Sequence, residues 1–224
     1  MEKKSGRMSY VLTEALVWMG ALQAALWGMK WLLLPLFPDT RVAYKLFTMG
    51  CMLLLTGVVV AYVKYGRRER FSFLPHAWNR RYTLFTGLFL LLLILSPSNF
   101  KQGLPAVGVL LYGSVVTPLY EELLFRGYLW NRLSAIGNSP RRLILYTALL
   151  FAFWHVGYMV NALVEGNWVA VISKVLVGFC YGLLLGWVRM KTGNCYTTCL
   201  LHGLMNLLSI CHVWWESSLG DTIH

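Results

Sequence analysis

Hydrophobic positions in this chain come in long runs rather than in alternation. Near-continuous apolar stretches occupy about residues 10–36, 42–63, 82–97, 104–125, 143–163, 168–188 and 195–215. A helix needs about 20 such residues to cross roughly 30 Å of hydrocarbon. Runs such as Leu88 to Leu95 do not alternate in polarity, which excludes the strands of an outer-membrane barrel. The pattern predicts an all-α, polytopic membrane helix bundle of about seven transmembrane helices. No internal repeat, low-complexity segment or linker divides the chain, so residues 1–224 read as a single transmembrane domain.

Composition agrees: 58% of the 224 residues are hydrophobic and 13% are charged, against about 25% charged in soluble domains. The basic start at Lys3, Lys4 and Arg7 leads into an apolar run too long for a cleavable signal peptide, so it reads as a signal anchor. A formal charge of +11 raises nucleic acid as a partner, but the basic residues sort by membrane side instead. With a cytoplasmic N-terminus, only Lys30, Arg41, Lys45, Lys101 and Lys174 of the 20 Lys and Arg fall outside. That bias gives an N-in, C-out orientation, with the lipid bilayer as partner and no nucleic acid. The basic stretch from Lys64 to Arg81 is then a cytoplasmic, topogenic loop beside anionic headgroups.

The five cysteines, Cys51, Cys180, Cys195, Cys199 and Cys211, lie in or beside apolar runs and do not form a disulfide framework. Cys195, Cys199 and His202 have helical spacing, but a structural zinc wants a fourth ligand and none is visible. No metal or other cofactor is therefore expected.

Ionisable residues inside spans are costly unless paired or facing water, so they mark function. They cluster at Glu121, Glu122 and Arg126, at His155, and at His202 with Asn206. Glu122 and Arg126 stand i, i+4 in the favourable order for an ion pair. Glu121, about 100° further around the helix, has no local partner, and Pro118 just upstream removes a backbone hydrogen bond. Helical rise puts Glu121, His155 and His202 in the cytoplasmic half of the bilayer or at its midplane. His202 and Asn206 share one helix face. A water-filled site inside the bundle would supply what all of them need. There a carboxylate and a neutral imidazole activate water, while a second imidazole and an amide donate to an oxyanion. Glu122 and Arg126 would hold the helix and Glu121 in place. The set amounts to peptide hydrolysis without a serine or cysteine nucleophile.

Glu-Glu-x-x-x-Arg at 121–126, Phe-x-x-x-His at 151–155 and His-x-x-x-Asn at 202–206, in that order on successive helices, resemble the CPBP family. This family, also called Abi or CAAX-protease-like, includes the CAAX prenyl endopeptidases and bacterial relatives linked to peptide processing and bacteriocin immunity. The resemblance covers about residues 110–210, within a catalytic core of about 104–215. It implies an intramembrane endopeptidase of the glutamic type, in which Glu121 and His155 activate water and His202 and Asn206 stabilise the oxyanion. Its partner is a membrane-associated peptide or protein substrate. A Glu/His/His set can in principle hold zinc, but Asn206 suits an oxyanion better than a metal. Neither a His-Glu-x-x-His motif nor an intramembrane aspartate is present, and Gly113-Ser114 lacks the context of a serine enzyme.

Gly178, Gly182 and Gly186 form a small-residue ridge for close helix packing. Phe151, Phe153 and Trp154 are expected to shape the cavity wall, and Trp214 and Trp215 an outer interfacial belt. The short chain without a soluble domain points to a prokaryotic plasma membrane. Two other readings remain open at this level, a non-catalytic membrane binding or immunity protein and a small transporter.

Overall fold

The computed structural model describes residues 2–69, 73–96, 99 and 103–220, with side chains described between residues 6 and 209. The elements are α1 (Glu2–Leu33), α2 (Arg41–Ala61), α3 (Arg80–Ile94), α4 (Gly103–Ala135), α5 (Pro140–Trp154), α6 (Val160–Val164), α7 (Trp168–Thr192) and α8 (Cys195–Gly220). No strand occurs among the described residues.

Among the described residues, four helical segments are long and apolar enough to cross a membrane: Gly6–Leu36, Arg41–Gly66, Gly103–Ala135 and Trp168–Thr192. Two other expected spans come out short. Helices α3 and α5 have 15 residues each, about 22 Å at 1.5 Å per residue. The run at 143–163 is not one helix, because α5 ends at Trp154 in a 3₁₀ turn (His155–Tyr158) before α6. The fourth run extends ten residues past its expected end at 125, its polar tail still helical to Ala135. Trp214 and Trp215 lie outside the described side chains.

The core forms where one stripe of α1 (Ala15, Met19, Leu22, Leu26) and one of α2 (Met52, Leu55, Val59) meet Tyr120, Leu124, Phe125 and Tyr128 of α4 and Phe151 and Trp154 of α5. The i, i+4, i+7 spacing of these positions is what turns a helix face inward. Phe153 departs from expectation. It is 60% exposed and points away from the bundle.

A polar residue of α1 that hydropathy passed over ties the opposite end together. Glu14, inside the first apolar run, accepts from the Tyr128 hydroxyl and from Arg132 at 2.7 and 3.2 Å. Arg132 and Arg67 also reach Glu69 at 3.4 and 3.5 Å. Three segments of the chain are thereby clamped at one edge.

Helices α5 and α7 pack along the glycine ridge. A Cβ at Gly182 would lie 2.7 Å from the Ala148 Cα, and one at Gly186 would lie 3.3 Å from the Ile144 Cα. Since Ala148 presents backbone, neither helix can yield without separating from the other. Gly182→Val is therefore expected to destabilise the protein by about 1–3 kcal/mol or more, read as a fall in melting temperature in detergent. Gly20→Ala in α1, with nothing within 4 Å of its Cβ, should be neutral or stabilising by about 1 kcal/mol. Equal melting of wild type and Gly182→Val would contradict the packing described.

Candidate active site

The chemistry begins with irregular turns. In α4 the segments Tyr112–Val116 and Leu123–Leu129 are wound as π-helix, on either side of the α-helical Thr117–Glu122. Such wide turns shift backbone bonds by one residue and re-aim side chains. The Thr117 N–H bonds to the Tyr112 carbonyl, leaving Gly113 O without its usual i+4 donor. Asn206 supplies one, its Nδ2 donating at 2.8 Å. Pro118 likewise offers no N–H to Ser114 O, and α8 passes this carbonyl at Gly203, where a Cβ would overlap it. At the second wide segment the Trp130 N–H reaches the Gly127 and Phe125 carbonyls, and Arg126 O accepts instead from Arg189 Nε at 2.9 Å. A residue expected to mark the cytoplasmic edge, Arg189, is thus buried.

His155 obeys the same rule at the end of α5. Its own N–H turns to Ala152 O, and Phe151 O accepts from the ring Nδ1 at 2.7 Å. A carbonyl only accepts, so Nδ1 carries the proton and Nε2 of the neutral ring is a free lone pair. Gly178 makes room for this ring, since a Cβ there would sit 3.0 Å from Nδ1.

The two adjacent glutamates have different surroundings. Glu122 is fully buried, its Oε1 accepting from Arg126 Nη1 at 2.8 Å and from His202 Nδ1 at 3.0 Å. Arg126, also fully buried, donates from Nη2 to Gly182 O at 3.1 Å and lies over the Phe151 ring at 4.5 Å. Glu121 Oε1 accepts from Tyr158 Oη at 2.9 Å and Trp154 Nε1 at 3.3 Å. Its Oε2 stands 3.8 Å from His202 Nε2.

Tyr158 is a functional neighbour that sequence reasoning missed, and Trp154, expected as cavity wall, is not among the lining residues. Trp154 is buried behind Glu121, to which its Nε1 donates. The turn carrying both is strapped from α1, where Gln23 Nε2 donates to Trp154 O at 3.2 Å and Trp27 Nε1 to Gly157 O at 3.0 Å. Helix α1 therefore supports the site and does not only anchor the chain.

Glu121, His155, His202 and Asn206 all line one cavity of about 550 Å³, within the size range of ligand sites. Its wall also includes Arg41, Lys45, Tyr112 and Lys174. These come from the end of the bundle where α2, α4 and α7 begin and α5 finishes, opposite the Glu14 clamp. Helix α4 runs from Gly103 to Ala135, so Glu121 sits near its middle. Cys199 Sγ faces Pro118 O at 3.9 Å, and no group of three His, Cys, Asp or Glu is placed to hold a metal ion among the described residues.

Removing one partner of a buried pair costs about 3–5 kcal/mol. Glu122→Gln, which leaves Arg126 without its carboxylate, should therefore lower the melting temperature sharply. Glu121→Gln keeps the oxygen that Trp154 and Tyr158 require and should melt close to wild type. The reverse ranking would refute these roles.

No curated protein and no solved structure matches the chain. A family model does match, over residues 103–208, a stretch that begins with α4 and takes in Glu121, Glu122, Arg126, Phe151, His155, His202 and Asn206. Over this segment the chain is similar to the family described as Type II CAAX prenyl endopeptidase Rce1-like, a family of proteases.

Proposed function

We propose that the protein is an intramembrane endopeptidase of the glutamic type that cleaves a membrane-associated peptide or protein with water as nucleophile. The reading rests on one observation above all: Glu121, His155, His202 and Asn206, from three helices, share the wall of one cavity. Residues 1–224 act as one transmembrane domain, with the catalytic core at about 104–215.

In this mechanism Glu121 Oε2 and His155 Nε2, both unprotonated, draw the proton from a water between them. The water oxygen adds to the substrate carbonyl, and the negative charge moves to the carbonyl oxygen. Asn206 spends one N–H on Gly113 O and keeps its second for that oxyanion. His202 donates Nδ1–H to Glu122, so donation from Nε2 requires the imidazolium. The two carboxylates beside it, 3.0 and 3.8 Å away, balance that charge. Collapse of the intermediate breaks the C–N bond, and the proton held on Glu121 or His155 passes to the departing amine. Tyr158 and Trp154 fix the Glu121 carboxylate throughout.

The positive-inside bias supports an N-terminus in the cytoplasm, and to it the proposal adds the seven crossings of the apolar runs and a prokaryotic plasma membrane as the location. On that topology the cavity opens away from the cytoplasm, so the substrate enters from the outer half of the membrane. This departs from a lipidated cytosolic C-terminus as the natural substrate.

Cleavage of a panel of apolar membrane peptides by protein in nanodiscs tests the chemistry. Glu121→Gln and His155→Ala should each lose about 100-fold or more in kcat/KM, and a chelator should change nothing. Activity that survives Glu121→Gln would sink the mechanism, and loss to chelator would move it to a metalloenzyme. Orientation is tested separately in whole cells. With native cysteines replaced, Glu165→Cys should react with a membrane-impermeant maleimide and Arg141→Cys should not. The opposite pattern would invert the topology.

A further inference from the structure

The cavity wall carries three cations, Arg41 and Lys45 of α2 and Lys174 of α7. None makes an ion pair among the described residues, and Glu121 is the one carboxylate among the lining residues. Lys45 is the only charged residue of α2 beyond its first position, and Lys174 stands alone in the apolar stretch from Trp168 to Trp187. Charges inside apolar helices are retained where they serve a ligand or a water-filled path.

Their placement works against local stability. Arg41 and Lys45 stand i, i+4, so two like charges face the same way. Both lie near the N-terminal end of α2, where the helix dipole already favours anions, and neither α2 nor α7 has an acid in its first turn. Like charges and dipole ends converge to make one electropositive lip on a cavity that also holds Glu121 and His155.

We infer that this lip, with Arg41, Lys45 and Lys174, is a subsite for a carboxylate carried by the peptide substrate, either a free C-terminus or an acidic side chain near the scissile bond. This rests on the proteolytic reading above. A lipid headgroup is the poorer occupant, because it would fill the space of about 550 Å³ in which water and peptide must meet Glu121. Lysine and arginine bind carboxylates through charge-assisted hydrogen bonds, which gain strength away from bulk water.

The test uses fluorescein-labelled apolar hexapeptides with a C-terminal carboxylate, with a C-terminal amide, and amidated with one Asp or one Asn near the end. Binding is read by polarisation to Glu121→Gln protein in phosphatidylcholine nanodiscs, so that no cleavage intervenes. Acid-bearing peptides should bind about ten-fold tighter than their neutral partners, and the Lys45→Gln/Lys174→Gln pair should collapse that ratio. Lys45→Arg/Lys174→Arg should keep it. If the double Gln variant unfolds, Lys174→Gln alone gives the same reading, since Lys174 is exposed. Preference for the free C-terminus over the Asp form, or the converse, identifies the source of the carboxylate. Equal binding of acid and neutral peptides, a preference untouched by the lysine substitutions, or no binding of any peptide would overturn the inference. So would loss of acid-peptide binding on adding phosphatidylglycerol, which would assign the lip to headgroups. Wild-type cleavage of the same peptides is scored apart. Absent cleavage with the preference intact defeats the protease and leaves the subsite standing.

Discussion

The bundle is organised around one buried carboxylate. Glu122 accepts from Arg126 of its own helix and from His202 of α8 through the same oxygen, and Arg126 continues to Gly182 O of α7. Three helices are thus joined through groups that are fully or nearly fully buried. A charge in such a place persists only if it is met by countercharge and hydrogen bonds, which restricts how α4, α7 and α8 can pack. The consequence for chemistry is indirect. With Glu122 committed to holding helices, Glu121 is released to face the cavity, and the His202 ring is held with Nε2 toward it.

A second constraint comes from the backbone. In hydrocarbon each carbonyl must find a donor, and the wide turns of α4 and the 3₁₀ end of α5 deprive Gly113, Arg126 and Phe151 of theirs. Side chains fill the vacancies, namely Asn206, Arg189 and His155. Two of these three are residues assigned to catalysis. Local departures from regular helix therefore both fix the rings and amides of the site and select their tautomers. The α1 strap adds a third level, since Gln23 and Trp27 hold the turn on which His155 and Tyr158 lie.

Much of this was legible in the chain. The Glu122–Arg126 pair follows from i, i+4 spacing, the glycine ridge from its small-x-x-x-small rhythm, and the four cavity residues from being polar where helices are otherwise apolar. What was hidden shares a cause. Gln23 meets Trp154 across 131 positions, and periodicity shows which face of a helix turns inward but not which helix it meets. Glu14 escaped because one acid scarcely lowers the mean of a long apolar run. The break after Trp154 escaped because Val156, Tyr158 and Met159 keep the run apolar through the turn. The true length of α4 escaped because Arg126, Asn131 and Arg132 look like a membrane edge to hydropathy while their partners are inside the protein. Arg41, Lys45 and Lys174 counted only as topology until the cavity brought them together.

The central claim is that Glu121 works on water and never bonds to the substrate. A single turnover in ¹⁸O-water, followed by mass spectrometry of product and protein, tests it directly. The account predicts one ¹⁸O in the new carboxyl terminus of the peptide and none in Glu121. Label in the Glu121 carboxylate with an unlabelled first product would contradict it and make Glu121 a covalent nucleophile.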